Sequence, residues 1–505
     1  MGVVPASLER EIKLVAPERP VLPRMDDAVP GLTDGPAVHV ELDATYYDTK
    51  ELALARAGVT LRYRAGESGL PWTVKLPERV LKSSLTRLEI RFDGEPGRVP
   101  ADARDLVRAY LRGRQLGPVA RLHTRRTSVP LLDAAGQQAA ELVDDLVAGY
   151  EGESQTTVFR EVELELTGTQ RRRRLQRAAV ERLAAAGCSA EPPRPKLVRA
   201  LGTRAEQPAE VIISPLASEP NVLEAIRHAL AVSVDRLVRH DAGVRLGADP
   251  EDVHQFRVAA RTLRSNLKTF APVLDREWAG VLRTELGRLG SAAGELRDLD
   301  VLEQRLRRMT DSLEKDDEEA AAMLLEHLAR QRNRARKTTL AALRCHRYDA
   351  LLDALVEAAA GPRLAVDGAG DPPARTLLRD AARTQVRRLD RAAARVSVPP
   401  SDTDLHMVRI QAKRTRYAID AARPVIGRPA AEHAAALARL QDVLGDFHDS
   451  TVAVEWLRAA AAARPACGVV VGQLIAAERT EQARLRARVR DAWRTAAAKQ
   501  LRGWL

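Results

Sequence analysis

The sequence predicts a multidomain α+β protein with a sheet-rich N-terminal domain and an all-α C-terminal domain of two pseudo-symmetric helical bundles. Three observations carry this. Up to about residue 200, short segments alternate apolar and charged residues between Gly, Pro and Asp: LEREIKL, VTLRYRAG, WTVKLP, LTRLEIRFDG and REVELELTG. That period of two is the mark of antiparallel strands. After about residue 220 the period becomes that of helices, in long Ala/Leu/Arg segments. The helical part also repeats itself. His254, Arg257, Arg261 and Arg264 stand at the same i, i+3, i+7, i+10 spacing as His406, Arg409, Lys413 and Arg416. Each comb is followed by a related second motif, LGRLGSAAGELRDLDV and then LQDVLGDFHDSTV, which indicates an internal duplication.

The expected boundaries follow from the breakers. Residues 1–200 form the strand domain and 201–219 a linker interrupted by Pro208, Pro215 and Pro220. Residues 220–505 form the helical domain, in halves of about 220–360 and 375–505 on either side of the Gly/Pro/Asp-rich stretch Gly361 to Pro373.

Composition narrows the partner. Lys and Arg number 80 against 69 Asp and Glu, a formal charge of +11, which favours a polyanion. Aromatic residues are only 3% and are not interleaved with the combs, which counts against stacking on single-stranded nucleic acid. Specific nucleic-acid recognition is not expected. Cys188, Cys345 and Cys467 are too dispersed for a disulfide framework or a zinc site and suit a reducing compartment. The N-terminus lacks a basic-then-apolar leader pattern, and no apolar run approaches the ~18 residues of a spanning helix. The expectation is a cytoplasmic protein without a membrane partner.

In each N-terminal segment one face is apolar and the other charged. Glu9, Glu11 and Lys13 oppose Leu8, Ile12 and Leu14; Arg62 and Arg64 oppose Leu61 and Tyr63; Lys75 opposes Val74 and Leu76. Arg87, Glu89 and Arg91 oppose Leu88, Ile90 and Phe92, and Glu161, Glu163 and Glu165 oppose Val162, Leu164 and Leu166. Taken singly, each strand also reads as a sheet with one solvated face and cross-strand ion pairs. Taken together, acids concentrate in the first and last strands and bases in the middle ones. That separation suits a phosphate chain bound with a hard divalent cation: carboxylates for the metal, guanidinium and ammonium groups for the remaining oxygens.

These motifs resemble the CYTH domains, or triphosphate tunnel metalloenzymes, over roughly residues 5–200. The resemblance rests on E-x-E-x-K at Glu9, Glu11 and Lys13, TYYDT at Thr45–Thr49, TLRYR at Thr60–Arg64, TVKLP at Thr73–Pro77, Arg87/Glu89, and REVELEL at Arg160–Leu166, in that order. It implies an eight-stranded antiparallel β-tunnel with flanking helices and a charged interior. It implies Glu9, Glu11, Glu163 and Glu165 as ligands of one or two Mg²⁺ or Mn²⁺ ions, with Glu161 a lesser candidate ligand and Glu89 nearby. Lys13, Arg62, Arg64, Lys75 and Arg87 become the phosphate clamp, joined by Arg125 or Arg126 of RLHTRRTSV. In ELVDDLV, Asp144 is the expected inward aspartate with Asp145 as alternative. Lys196 matches a late lysine, although Pro195 stands where the family has serine. The implied reaction is hydrolysis of a terminal phosphoanhydride, inorganic triphosphate being the expected substrate. Thiamine triphosphate hydrolysis, adenylate cyclisation and a non-catalytic tunnel remain as alternatives.

On a helix the four positions of each comb fall within roughly 80° of arc, and Lys268 extends the first. Like charges so stacked repel one another, which an anionic ligand relieves. A solvated basic face explains one comb; two at matching register point to binding. Metal binding by His254 and His406 is disfavoured, because arginines rather than carboxylates surround each. Asp298, Asp300, His448 and Asp449 read as groups that orient comb arginines or pack the bundle. VHQFRVAARTLR resembles the defining helix of the CHAD domains (conserved-histidine α-helical domains), over about residues 217–505. That resemblance implies binding of inorganic polyphosphate, and with it association with polyphosphate granules.

Overall fold

The computed structural model describes residues 6–16, 22–26, 32–66, 69–81, 84–166, 172–189 and 194–505. The chain divides into two compact units, Met1–Glu210 and Val211–Leu505. Among the described residues no helix is long and apolar enough to cross a membrane.

The first unit runs β1 (Ala6–Val15), β2 (Leu32–Asp34), β3 (Val38–Asp48), α1 (Ala53–Arg56), β4 (Thr60–Ala65), β5 (Trp72–Leu81), β6 (Ser84–Phe92), α2 (Ala101–Leu106), α3 (Arg108–Leu111), β7 (Gly117–Asp133), β8 (Gln138–Glu151), β9 (Ser154–Leu166), α4 (Arg172–Ala185) and α5 (Lys196–Leu201). The strands are antiparallel in the order β2-β7-β3-β4-β5-β6-β1-β9-β8, and a further pairing of β7 with β8 joins the ends. Eight strands therefore close into a ring, as the resemblance implied, and short β2 is appended to the far end of β7. Closure removes the edges that would otherwise seek partners.

The strand faces are inverted relative to a barrel with an apolar interior. Ile12, Leu14, Leu142, Val162 and Leu164 point outward and are buried with Ala179 and Leu183 of α4. Each such leucine contributes ~1.5–3 kcal/mol by leaving water. The charged face is thereby turned inward. Gly66 marks a close approach: at φ +91° a side chain there would meet the Glu41 carbonyl at 2.3 Å.

The second unit is helical: α6 (Val222–Leu246), α7 (Pro250–Thr269), α8 (Arg276–Thr310), α9 (Glu318–Arg344), α10 (His346–Ala360), α11 (Ala374–Ala393), α12 (Asp402–Ile426), α13 (Arg428–Ala463) and α14 (Gly468–Ala496). Local chemistry sets several starts. Asn221 and Glu224 form a capping box on α6, Ser401 and Asp404 another on α12, and Asp249 caps α7 ahead of Pro250. Successive packing of α6, α7, α8 and α9 repeats in α11, α12, α13 and α14, while α10 lies against α6 and α8 outside the repeat.

The halves share a core. Leu302, Leu306, Leu324 and Leu328 of the first half are buried with Leu457, Val470, Val471 and Leu474 of the second. Arg305 on α8 is held by Glu478 on α14, and the Trp456 indole donates to Gln331 at 2.8 Å. The expected linker residues attach on either side of the division: Glu210 binds Arg112 and Arg114 of the first unit, and Ser214 accepts from His228 of the second.

Candidate functional site

The first site is the interior of the ring. Among the described residues, a cavity of about 290 Å³ is lined by eight cationic side chains, Lys13, Arg62, Arg64, Lys75, Arg87, Arg91, Arg126 and Lys196, and by four carboxylates, Glu89, Glu141, Glu163 and Glu165. Directly opposed residues of an antiparallel pair share a face. The pairings Lys13 with Glu163, Lys75 with Glu89, and Arg126 with Asp145 therefore stack charge inside.

One wall is an ion-pair network. Arg126 grips Asp145 through both oxygens, at 2.9 and 2.7 Å, and Lys196 binds Asp145 at 2.5 Å and Glu163 at 3.1 Å. Lys13 donates to Glu163 and, at 3.0 Å, to Glu161. Burial alone would raise the Glu163 carboxyl, but Lys13, Lys196 and Arg126 hold it well below the usual range. Burial likewise works against Asp145, and Lys196 and Arg126 outweigh it. Across the cavity, Glu89 is bound by Lys75 at 3.0 Å and Arg91 at 2.7 Å. Burial opposes its ionisation, yet Lys75 and Arg62 bring the carboxyl down to about 2.

α5 closes this wall. Pro195 starts the helix, Lys196 reaches Asp145, and Leu197 is buried with Ala44, Leu122 and Val147 inside the ring. Lys196 thus lies in the cavity although serine is absent from its motif. Arg62 donates to the Tyr46 hydroxyl at 3.4 Å, and the Arg87 Nε is buried without a hydrogen-bond partner.

Two expectations need correction. Asp144 does not face the cavity: it is on the opposite face of β8, where Arg160 binds it at 2.7 Å beside Cys188. Asp145 is the inward residue, because it stands opposite Arg126 and Glu161 in register. Glu161 is inward but is covered by Lys13, Lys196 and Arg199, and does not line the cavity. Arg126, not Arg125, lines it. The side chains of Glu9 and Glu11 lie outside the described residues; the backbone register sets Glu9 opposite Arg87 and Glu11 opposite Glu165. Tyr46, Thr60, Arg91 and Glu141 were not assigned from sequence. Arg91 shares the parity of Arg87 and Glu89, a signal that could have found it.

Carboxylate oxygens are the donors a hard divalent cation takes. Among the described residues no three such donors converge on one point. Glu163 and Glu165 nevertheless line the cavity, and Glu11 and Glu165 are opposed like charges that a cation would reconcile. The donor set fits a hard divalent cation.

The second site is a groove of about 750 Å³ in the helical unit. His254, Arg257 and Arg261 enter it from α7, and Arg409, Lys413 and Arg416 from α12, so the two combs meet across it. Arg257 donates to Asp298 at 2.8 Å, and Arg416 to Gln441 at 3.1 Å. Asp300 is outside the groove and accepts from Arg332 at 2.6 Å. His406 stacks near His448, ring centres 5.4 Å apart, beside the groove rather than in its lining. Arg264 and Lys268 are exposed on α7 beyond the lining, with Lys268 near Arg283, Arg388 and Arg414. Arg236, Arg297 and Arg423 also line the groove and were not assigned from sequence.

Comparison with known proteins agrees with this division. The CYTH domain family matches residues 7–189 and the CHAD domain family residues 228–458. Two proteins of Mycobacterium tuberculosis, MT2285 and Rv2226, each described as uncharacterized, are 32% identical over 439 residues, 83% of this chain and 82% of theirs. The crystal structure of the CHAD domain from the plant Ricinus communis has 25% identity and a TM-score of 0.47, covering 58% of this chain and 97% of that one.

Proposed function

The chain belongs to the family in which a CYTH domain is followed by a CHAD domain, and from that premise we propose that it is a metal-dependent triphosphatase with a tethered polyphosphate-binding domain. CYTH proteins are triphosphatases or cyclases, so phosphoryl-transfer chemistry on a triphosphate comes with the family. The observation that carries the finer reading is that, among the described residues, eight cations and four carboxylates line the cavity. Such an excess favours a compact polyanion. A nucleobase or a thiamine ring needs an apolar or aromatic surface. Among the described residues the lining offers for this Tyr46, Pro195 and Leu197, so inorganic triphosphate fits better.

Hydrolysis of triphosphate adds water to a terminal phosphorus, breaks its bond to the bridging oxygen, and leaves orthophosphate and pyrophosphate. Lys13, Arg62, Arg64, Lys75, Arg87 and Arg126 orient the chain by contacts to its non-bridging oxygens, the arginines as planar forks. The same groups neutralise charge that builds on the transferred and leaving phosphates. Asp145 and Glu161, already saturated by cations, hold Arg126, Lys196 and Lys13 in position. Glu163 and Glu165, with Glu9 and Glu11, would hold a divalent cation that supplies Lewis acidity and helps position the attacking water.

In the helical unit, Arg257, Arg261, Arg409, Lys413 and Arg416 form a holding surface for inorganic polyphosphate. Asp298, Asp420, Asp442, Asp446 and Asp449 also line the groove, but among the described residues no three acids gather where they could hold a metal ion.

The test measures phosphate release from triphosphate, ATP, thiamine triphosphate and long-chain polyphosphate with Mg²⁺ or Mn²⁺. Triphosphate should be preferred, and Glu163→Gln should abolish turnover while long-chain binding survives. Unchanged turnover in that variant would sink the tunnel reading. The double variant Arg257→Ala/Arg409→Ala should weaken polyphosphate binding and flatten its salt dependence by about one log-log step per lost contact. Equal affinity of the parent protein for duplex DNA would reduce the groove to generic electrostatics.

A further inference from the structure

At the centre of the groove one cation differs in kind from its neighbours. Lys413 projects from α12 beside Arg409 of the same helix and faces Arg257 and Arg261 of α7. Arg257 is engaged by Asp298 of α8 and Arg416 by Gln441 of α13. Arg261 reaches the Tyr417 hydroxyl at 3.5 Å, and the Arg409 Nε is buried without a partner. No hydrogen bond or ion pair meets the Lys413 ammonium among the described residues.

The other charged groups on the packed elements do not remove this imbalance. On α13, Asp449 is the acid acting most strongly on Lys413, and burial raises its own carboxyl; Asp442 and Asp446 also line the groove, and burial raises the Asp446 carboxyl against the pull of Arg305. His448 on α13, lowered to about 4 by burial and Arg409, is neutral at physiological pH. Burial and Arg297 of α8 also lower His254 on α7, while Arg236 of α6 is bound to Gln255.

A crowd of partly dehydrated like charges is relieved most cheaply by losing a proton. Guanidinium groups cannot lose one at accessible pH, whereas an amine can. The matching position of the first comb is Arg261, so the second comb alone carries a titratable member here.

We infer that Lys413 is a proton-linked anion contact, deprotonated when the groove holds no polyanion and protonated when one binds, so that binding takes up a proton from solvent. The inference rests on the groove reading proposed above. Burial, Arg409 and Arg261 together bring the Lys413 amine down to about 7. The negative charge of a bound phosphate chain outweighs burial and the two guanidinium groups and restores the ammonium. The direction follows: affinity is full below about pH 7 and falls as pH rises, by up to about tenfold per pH unit for one linked proton.

Calorimetric titration of the full chain with long-chain polyphosphate tests this between pH 6 and 9. It uses buffers of different ionisation enthalpy and a chelator to suppress turnover. Internal phosphates stay ionised throughout, so the ligand adds no proton of its own. The parent protein should lose about tenfold per pH unit above neutrality and take up close to one proton at pH 8. Lys413→Arg should show neither effect and bind more tightly than the parent at pH 9. Lys413→Met should show no slope and bind at every pH no more tightly than the parent does at pH 9. A slope that persists in Lys413→Arg overturns the assignment to Lys413. A parent protein that binds without a slope overturns the proton linkage but leaves the groove reading standing. Absence of binding by every variant at pH 6 overturns the groove reading and the inference together.

Discussion

Replacing Glu89 by Gln isolates the electrostatics of the tunnel wall. Glu89 is 4% exposed, opposite Lys75 in register, and bound by Lys75 at 3.0 Å and Arg91 at 2.7 Å. Its carboxyl stands at about 2 in the folded protein against 4.5 ordinarily. A depressed carboxyl contributes stability that is fully present above the unfolded pKa and is lost as pH falls through the folded one. The contribution is therefore about 3 kcal/mol at pH 7 and about 1 kcal/mol at pH 3. Glu89→Gln keeps the shape and removes the charge, so it should cost about 3 kcal/mol at neutrality and little in acid. Pulse proteolysis in urea, with fragments of residues 1–210 identified by mass spectrometry, reads the first unit separately; a neutral protease serves at pH 7 and pepsin at pH 3. The same loss at both pH values would refute the electrostatic account and leave a packing defect as the cause.

Two further tests concern orientation and local structure. Asp145→Asn removes the carboxylate that Arg126 and Lys196 grip most closely, leaving them Glu163, and should destabilise the first unit by about 3 kcal/mol, partly restored by saturating triphosphate; Asp144→Asn, whose partner Arg160 is more exposed, should cost less and show no such rescue. The reverse order in urea unfolding would put Asp144 inside. Asn221→Ala removes the capping box of α6 and should lower the stability of the helical unit by about 1 kcal/mol, measured by its loss of helical circular dichroism in urea.

Much of both sites was legible because charge followed a simple period. Lys13, Arg62, Lys75 and Arg87 share the parity of charged faces, and apolar residues fill the other parity of the same strands. That parity gave the faces but not which face turned inward; the resemblance supplied that. It failed at Asp144 and Asp145 because ELVDDLV is apolar on both sides: Leu142 and Leu146 accompany Asp144, and Val143 and Val147 accompany Asp145. Only the register with β7 and β9 separates them. In the combs, helical spacing aligned five positions on α7, yet the groove takes only His254, Arg257 and Arg261 of them. Where α12 crosses α7 decides that, and a single helix carries no record of the crossing.

The sequence by itself determined that strands precede helices, that the helical half is duplicated, and that both halves gather cations at fixed spacing. Periodicity is a local property, so it survives in one dimension. The tertiary structure alone decided that α4 covers the apolar strand faces, and that Lys196 meets Asp145 and Glu163 to complete the wall. It also decided that Lys413 meets Arg261 rather than an acid. These depend on which distant segments are brought together, and packing and strand closure fix that only when the whole unit is assembled.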